Sequence, residues 1–205
     1  MWGRGPALSD WDRLLAEARD GARLAHEPMH GEPHWRAVAW AGLRIRAHAP
    51  GVNPGVLVAF GLLHDCRRET DDWDPEHGDR AALVAARSAP LRRLLGAEGR
   101  ELVAEACRLH ERGRTRPDTP AIGACWDADR VNLVRLGFRL DPRYFTVLTP
   151  EDGSLDAVAA ETRLIVPDPP AWADLFAAAD TINETVARPA EGEGPDFRQT
   201  RTEPT

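Results

Sequence analysis

Apolar positions recur along this chain at the 3.6-residue spacing of helices. Trp11, Leu14, Leu15, Ala18, Ala22 and Ala25 predict a helix over 10–25, capped by Ser9 or Asp10. A loop bearing Pro and Gly follows at 27–33. His34 then opens a second helix, carried to about residue 47 by Val38, Ala41, Leu43 and Ile45. The break Pro50-Gly51-Val52-Asn53-Pro54 supplies a cap in Asn53 and a first helical position in Pro54. The helix it starts carries Val56 to His64. Residues 67–75 are polar and read as a loop. Helices are expected over 77–88 and 97–111, then a loop rich in Gly, Arg and Pro at 112–120. Thr119-Pro120 begins a helix that carries Asp129 to about Leu136. Tyr144 to Leu148 is β-prone, and its state is left open. Residues 154–164 and 172–187 read as terminal helices, and 189–205, almost without apolar residues, as a disordered tail. There is no internal repeat. The pattern predicts one all-α domain over 1–188.

One run stands apart. Val56 to Leu63 is apolar on every side, which belongs in a core, yet it closes on His64-Asp65. An imidazole and a carboxylate at a core's edge persist only if paired or bound to metal. His with carboxylate suits Zn, Fe, Mn and other divalent cations. More such groups lie elsewhere: His34 upstream in Pro33-His34-Trp35, His77 and His110 in the middle of the chain, and Asp127 and Asp129 in the apolar context of Ala124 to Val131.

An upstream His, an adjacent His-Asp and a distant Asp on a later helix resemble the HD-domain metal-dependent phosphohydrolase superfamily, over about residues 30–136. The stretch from His64 to Gly78 looks like a bacterial subgroup of poorly characterised HD proteins. The resemblance implies a helical bundle in which His34, His64, Asp65 and Asp129 hold a divalent metal. His34 is preferred over His26 and His30 because its Trp-x-x-Val continuation matches the family pattern, leaving His26, His30 and His48 as surface residues. Asp129 is preferred over Asp127 because the family's Asp precedes a stretch like Arg130-Val131-Asn132-Leu133. Asp127 is then an outer partner of the site or a solvated residue. Some members add two His residues for a second metal, and His77 and His110 resemble that pair. Otherwise they bind phosphate or protonate a leaving group. Many members carry a Lys one turn after their His; here Arg68 stands in that place, able to grip phosphate with two parallel donors. Arg80 and Arg130 are further phosphate candidates, each beside a suspected ligand. Arg67 reads as solvated, and the loop residue Trp73 as packing onto the domain, with stacking on a base as the alternative.

Net charge is −7 and the pI about 5.5, which excludes a broad basic face for nucleic acid but not a local Arg cluster for a small anion. There is no Lys, so no Lys serves as nucleophile, Schiff base or phosphate ligand. Cys66, Cys107 and Cys125 form no C-x-x-C pair and read as small hydrophobes around the site. No run reaches the length of a bilayer span and the N-terminus lacks a secretory signal, which predicts a cytoplasmic protein. The expectation is a metal-dependent phosphohydrolase with one or two ions (Mn, Fe, Co, Ni, Zn or Mg) and a small phosphorylated substrate. Asp65, Arg68, His77 and His110 are the catalytic candidates. A di-iron oxygenase and a non-catalytic nucleotide-binding HD module are the alternatives, and the oligomeric state is open.

Overall fold

The structure, a computed structural model, describes residues 7–187. Its regular elements are all helical: α1 (Asp10–Arg19), α2 (Glu32–Ile45), α3 (Pro54–Leu63), α4 (His77–Arg87), α5 (Ala89–Leu109), α6 (Pro120–Val131), α7 (Ser154–Ile165) and α8 (Trp172–Ala187). Short 3-10 turns lie at 46–48, 132–136 and 142–144. The all-α expectation holds. The tail expected over 189–205 lies outside the described residues. Among the described residues no helix is long and apolar enough to cross a membrane.

The sequence signals explain most helix starts. Ser9 accepts from Asp12 N and Asp12 answers to Ser9 N, a reciprocal cap on α1. Asn53 accepts from Gly55 N at 2.8 Å with Pro54 in the first turn of α3. Ser88 accepts from Leu91 N at 3.1 Å and starts α5.

Some boundaries differ from expectation. α1 stops at Arg19, not residue 25: Gly21 takes φ 76°, and Arg67 donates 2.9 Å bonds to the carbonyls of Glu17 and Ala18 at the helix end. Arg67 is therefore a structural clasp, not a solvated residue. Residues 89–95 are helical, and Gly96 at φ 73° divides α5 into two arms. Residues 146–148 form no strand.

α3 is the axis of the fold. All ten of its residues are buried, and α2, α5, α6 and α8 pack around it. α2 and α3 run antiparallel at close range. A Cβ on Gly61 would stand 2.5 Å from Ala39 N, and one on Gly42 would stand 2.9 Å from Leu57 Cβ. These two glycine contacts fix the register, pairing 61 with 39 and 42 with 57. Extended to the end of the pair, the same register sets His34 across from His64. α4 and α5 form a second antiparallel pair. Gly78 lies against Cys107 O, where a Cβ would approach to 2.6 Å, and this brings His77 beside His110.

Candidate metal centre

The two helix pairs deliver their histidines to one end of the bundle. His34 lies in the first turn of α2 and His77 in that of α4, while His64 and His110 are the residues that close α3 and α5. Asp65 follows His64, and Asp129 sits in the last turn of α6. His34, His64, Asp65, His77 and His110 are all buried; the Asp129 side chain is 25% exposed and borders a pocket.

Five of these residues form two groups that share Asp65, His34 and His64 with it in the first and His77 and His110 in the second, and Asp129 adjoins the first through its two histidines. In the first, His34 Nε2 and His64 Nε2 are 3.2 Å apart, and each is 3.7 Å from Asp65 Oδ2. Asp129 Oδ1 is 3.3 Å from His34 Nε2 and 3.7 Å from His64 Nε2. In the second, His77 Nε2 and His110 Nε2 are 2.9 Å apart, and Asp65 Oδ1 lies 3.0 and 3.6 Å from them. The carboxylate of Asp65 thus turns one oxygen to each group.

Proton positions make these contacts informative. His64 Nδ1 donates to Gly61 O at 3.0 Å, His77 Nδ1 to Asp74 O at 2.6 Å, and His110 Nδ1 to Cys107 O at 2.7 Å. Backbone carbonyls accept only, so these three rings in their neutral form present bare Nε2 lone pairs inward. His77 Nε2, His110 Nε2 and Asp65 Oδ1 are then three acceptors within 3.6 Å of one another, with one donor beside them, Arg68 Nη1, at 3.2 Å from His77 Nε2 and 3.8 Å from Asp65 Oδ1. Among the described residues Asp65 Oδ1 and His34 Nδ1 have no hydrogen-bond partner. One proton satisfies one such contact; a cation satisfies all the lone pairs at once. Ligand atoms ~2.0–2.2 Å from an ion stand about 3–3.5 Å from one another, and the separations here bracket that range. A set of nitrogen and oxygen donors held in place through Nδ1 fits a borderline divalent metal. Helix ends add little, because three helices end at the site and two begin there.

The site's electrostatics suit the same role. Burial pushes the His64 pKa down from 6.5 to about 4 and lowers that of His34, so both stay neutral. Burial opposes ionisation of Asp65 and Asp129, yet the surrounding imidazoles hold both carboxyls well below their usual range. Burial also disfavours the His110 cation, but the Asp65 carboxylate outweighs it and raises that pKa. A histidine whose folded pKa is depressed costs stability once the unfolded chain takes up protons. The metal-stripped protein should therefore lose stability as pH falls from 6.5 to about 4 through His64 and His34, with His110 opposing in part. Calorimetry across that interval checks this, and His64→Asn should flatten the slope.

Above the cluster opens a pocket of about 600 Å³. Its wall includes six arginines, at 68, 112, 114, 130, 135 and 139, against four carboxylates, at 65, 111, 129 and 141. Arg68 lies here as expected, but its donors are partly spent: Nε on Thr70 O at 3.1 Å and Nη2 on Asp72 O at 3.2 Å. Its Nη1 is 3.2 Å from both nitrogens of His77, which sets it over the ring face. It braces His77 and the 70–72 loop while facing the pocket.

Several expectations are corrected. Arg80 is not a pocket residue; it bonds Asp74 Oδ2 at 2.6 Å and Arg67 O at 3.1 Å, tying the 67–74 loop to α4. Arg130 does line the pocket, but its guanidinium is taken by the carbonyls of Gly113, Arg114 and Tyr144. Asp127 is neither solvated nor at the site. It is fully buried and accepts the backbone N–H groups of Thr146, Val147 and Leu148. Those are the donors a strand would have used, which is why 146–148 forms none. Trp73 is 82% exposed, so it stands out from the domain instead of packing down onto it. His30 is not a free surface residue: its Nδ1 is 2.6 Å from Asp71 Oδ1 and its ring meets His34 edge-on at the pocket mouth. His26 and His48 are exposed as expected. The three cysteines are buried free thiols outside the ligand set, with burial pushing the Cys66 pKa up to about 12.

The sequence reading also missed Glu111, Arg112, Arg114, Arg135 and Arg139. Glu111 follows His110 directly, and its carboxylate is 3.5 Å from Arg68 Nη1. The arginine density of 112–116 was the available signal. A comparison with known proteins gives no matching family model, no similar curated protein and no similar solved structure.

Proposed function

We propose that this protein is a metal-dependent phosphohydrolase of the HD type, acting on a small phosphoester. The observation that carries this reading is the double role of Asp65, whose two oxygens face two separate imidazole pairs on the floor of an arginine-lined pocket. His34, His64, Asp65 and Asp129 would hold one ion, and Asp65, His77 and His110 a second. Such ions supply a water of lowered pKa and neutralise charge on phosphoryl oxygens.

The chain's own residues supply the rest. Neutral His34 and His64 and ionised Asp65 and Asp129 keep the donor set ready without a proton to expel. Arg114 and Arg139, whose guanidiniums make no hydrogen bond or ion pair among the described residues, are placed to take phosphoryl or other anionic oxygens. Arg68 adds positive charge beside His77. Glu111, partly exposed at the pocket wall, is placed to accept or return a proton at the leaving group.

The test is a screen of purified protein against phosphomonoesters and nucleotides with Mn, Co, Ni, Mg and Fe. Turnover with at least one pair, lost in His64→Ala with helix content retained, is the expected result. No turnover of any phosphoester in metal-replete protein would overturn the reading.

A second reading has support in the same set. All six nitrogen and oxygen donors meet, and six such ligands also suit a di-iron oxygenase. The arginine-rich wall favours the hydrolase, because O₂ chemistry needs no anion cradle. Stoichiometric iron with a coupled EPR signal and no phosphatase activity would reverse that preference.

A further inference from the structure

We propose, resting on the phosphohydrolase reading, that the pocket selects phosphoesters whose organic group is a flat apolar ring, and that Phe138 and Tyr144 are the residues that select it. Four of the nine large apolar side chains left exposed among the described residues line this one pocket. Phe138 is 59% exposed, Leu136 43%, Leu133 39% and Tyr144 39%, and all four line the cavity that holds the metal ligands. Exposed apolar surface gathered at one place marks a binding surface.

The lip is built, not incidental. The 3-10 turn 132–136 ends at Gly137, whose φ of 80° reverses the chain. Gly137 N–H then bonds Val134 O at 3.2 Å and Phe138 N–H bonds Leu133 O at 3.3 Å. This closure is what turns Phe138 back over the pocket beside Leu133 and Leu136. In the same pocket, Tyr144 is fixed through its carbonyl, which accepts from Arg130 at 2.6 Å, while its ring is left to the cavity.

Size and charge choose the ligand. About 600 Å³ lies within the ~300–1,000 Å³ common for small-molecule sites, and a phosphoryl group alone leaves most of it unfilled. With the anion drawn to the cluster end, the remainder of the substrate meets two aromatic faces and two leucines. Arg114 and Arg139 at the same wall are planar cations that also stack on rings. A nucleobase or an aryl group suits such a surface; a bare sugar or a short alkyl chain does not. One ring stacked on one aromatic changes affinity by about tenfold to a hundredfold.

The experiment compares two non-hydrolysable probes, phenylphosphonate and methylphosphonate, on the metal-loaded protein by calorimetry. Phenylphosphonate should bind at least about tenfold tighter. In Phe138→Ala, an exposed change that leaves the core intact, that preference should fall to near unity, with little change for methylphosphonate. Tyr144→Ala should reduce it in part. Equal binding of both probes to the wild type, or a preference that survives both substitutions, would overturn ring selection while leaving the hydrolase reading standing. Failure of both probes to bind would remove the hydrolase reading and this inference together. A dimer that dissociates in Phe138→Ala, with no preference between probes, would assign the lip to a second copy of the chain and also overturn the inference.

Discussion

Asp65→Ala should empty both halves of the centre at once and reduce turnover by about a thousandfold or more, a loss of about 4 kcal/mol in transition-state stabilisation. Among the described residues no other carboxylate lies within 4 Å of both imidazole pairs: Oδ2 lies 3.7 Å from His34 and His64, and Oδ1 lies 3.0 Å from His77. Losing even a partner of a ligand costs ~10–100-fold in metal affinity, so losing a carboxylate placed to serve two ions would cost more. The metal-free protein should lose stability too. Burial opposes ionisation of Asp65, yet the imidazoles around it hold its carboxyl well below its usual range, and it raises the pKa of His110 in return, so its ionised form is favoured by the fold. Removing one partner of such a buried set is destabilising. Metal-stripped Asp65→Ala should therefore melt below the metal-stripped wild type and fail to gain stability when metal is added. Asp65→Asn sharpens the test. Its amide can donate to one of the bare imidazole nitrogens, so it should melt above Asp65→Ala and still bind metal poorly. Metal content after dialysis, read beside calorimetry, distinguishes these outcomes. Stoichiometric metal and a normal rate in Asp65→Ala would refute the assignment of the centre.

How much of this was legible beforehand depends on how local each signal is. The helices were, because their caps and periods are local: Asn53-Pro54 starts α3 and Ser9 caps α1 as written in the chain. The ends of helices were not, where a distant group intervened. Arg67 closes α1 from forty-nine positions away. His34, His64 and Asp129 were reached by resemblance, and the register set by Gly61 against Ala39 and Gly42 against Leu57 gives the physical reason the two histidines meet. Nothing local separates Asp127 from Asp129. Two apart on a helix, they point to different sides, and only the fold reveals that one faces imidazoles and the other a loop's amides. The pocket's far wall was the least legible part. Phe138, Arg139 and Tyr144 reach the site only because Gly137 turns the chain and Asp127 pins the segment that follows. Neither event leaves a periodic trace in the sequence.

That pinning leads to the second large effect. Asp127→Ala should destabilise the protein by about 3–5 kcal/mol, lowering the melting temperature by about 10 °C. Its carboxylate accepts from Thr146 N at 2.9 Å, Val147 N at 2.7 Å and Leu148 N at 3.0 Å, and it is fully buried. Each bond to a charged acceptor contributes about 1.5–3 kcal/mol, and alanine leaves the donors unmet, that of buried Leu148 most of all. One effect opposes this. Burial raises the Asp127 pKa despite the three N–H groups that lower it, so the ionised form carries a cost in the fold. A carboxyl whose folded pKa is raised contributes stability that is fully present below the unfolded pKa of 3.8 and is lost as pH rises through the folded value. The gap between wild type and Asp127→Ala should accordingly widen on acidification from neutral pH. Asp127→Asn should fall between the two, since it keeps an acceptor oxygen but turns an amide donor toward other donors. The functional consequence is separable. Asp129 is held by α6 and not by the 144–148 segment, so Asp127→Ala should keep its metal. Tyr144 and Phe145, which line the pocket just ahead of the unpinned amides, should lose their placement. The expected result is a raised KM with unchanged metal content. A variant that retains its KM but loses metal would show that Asp127 serves the centre directly.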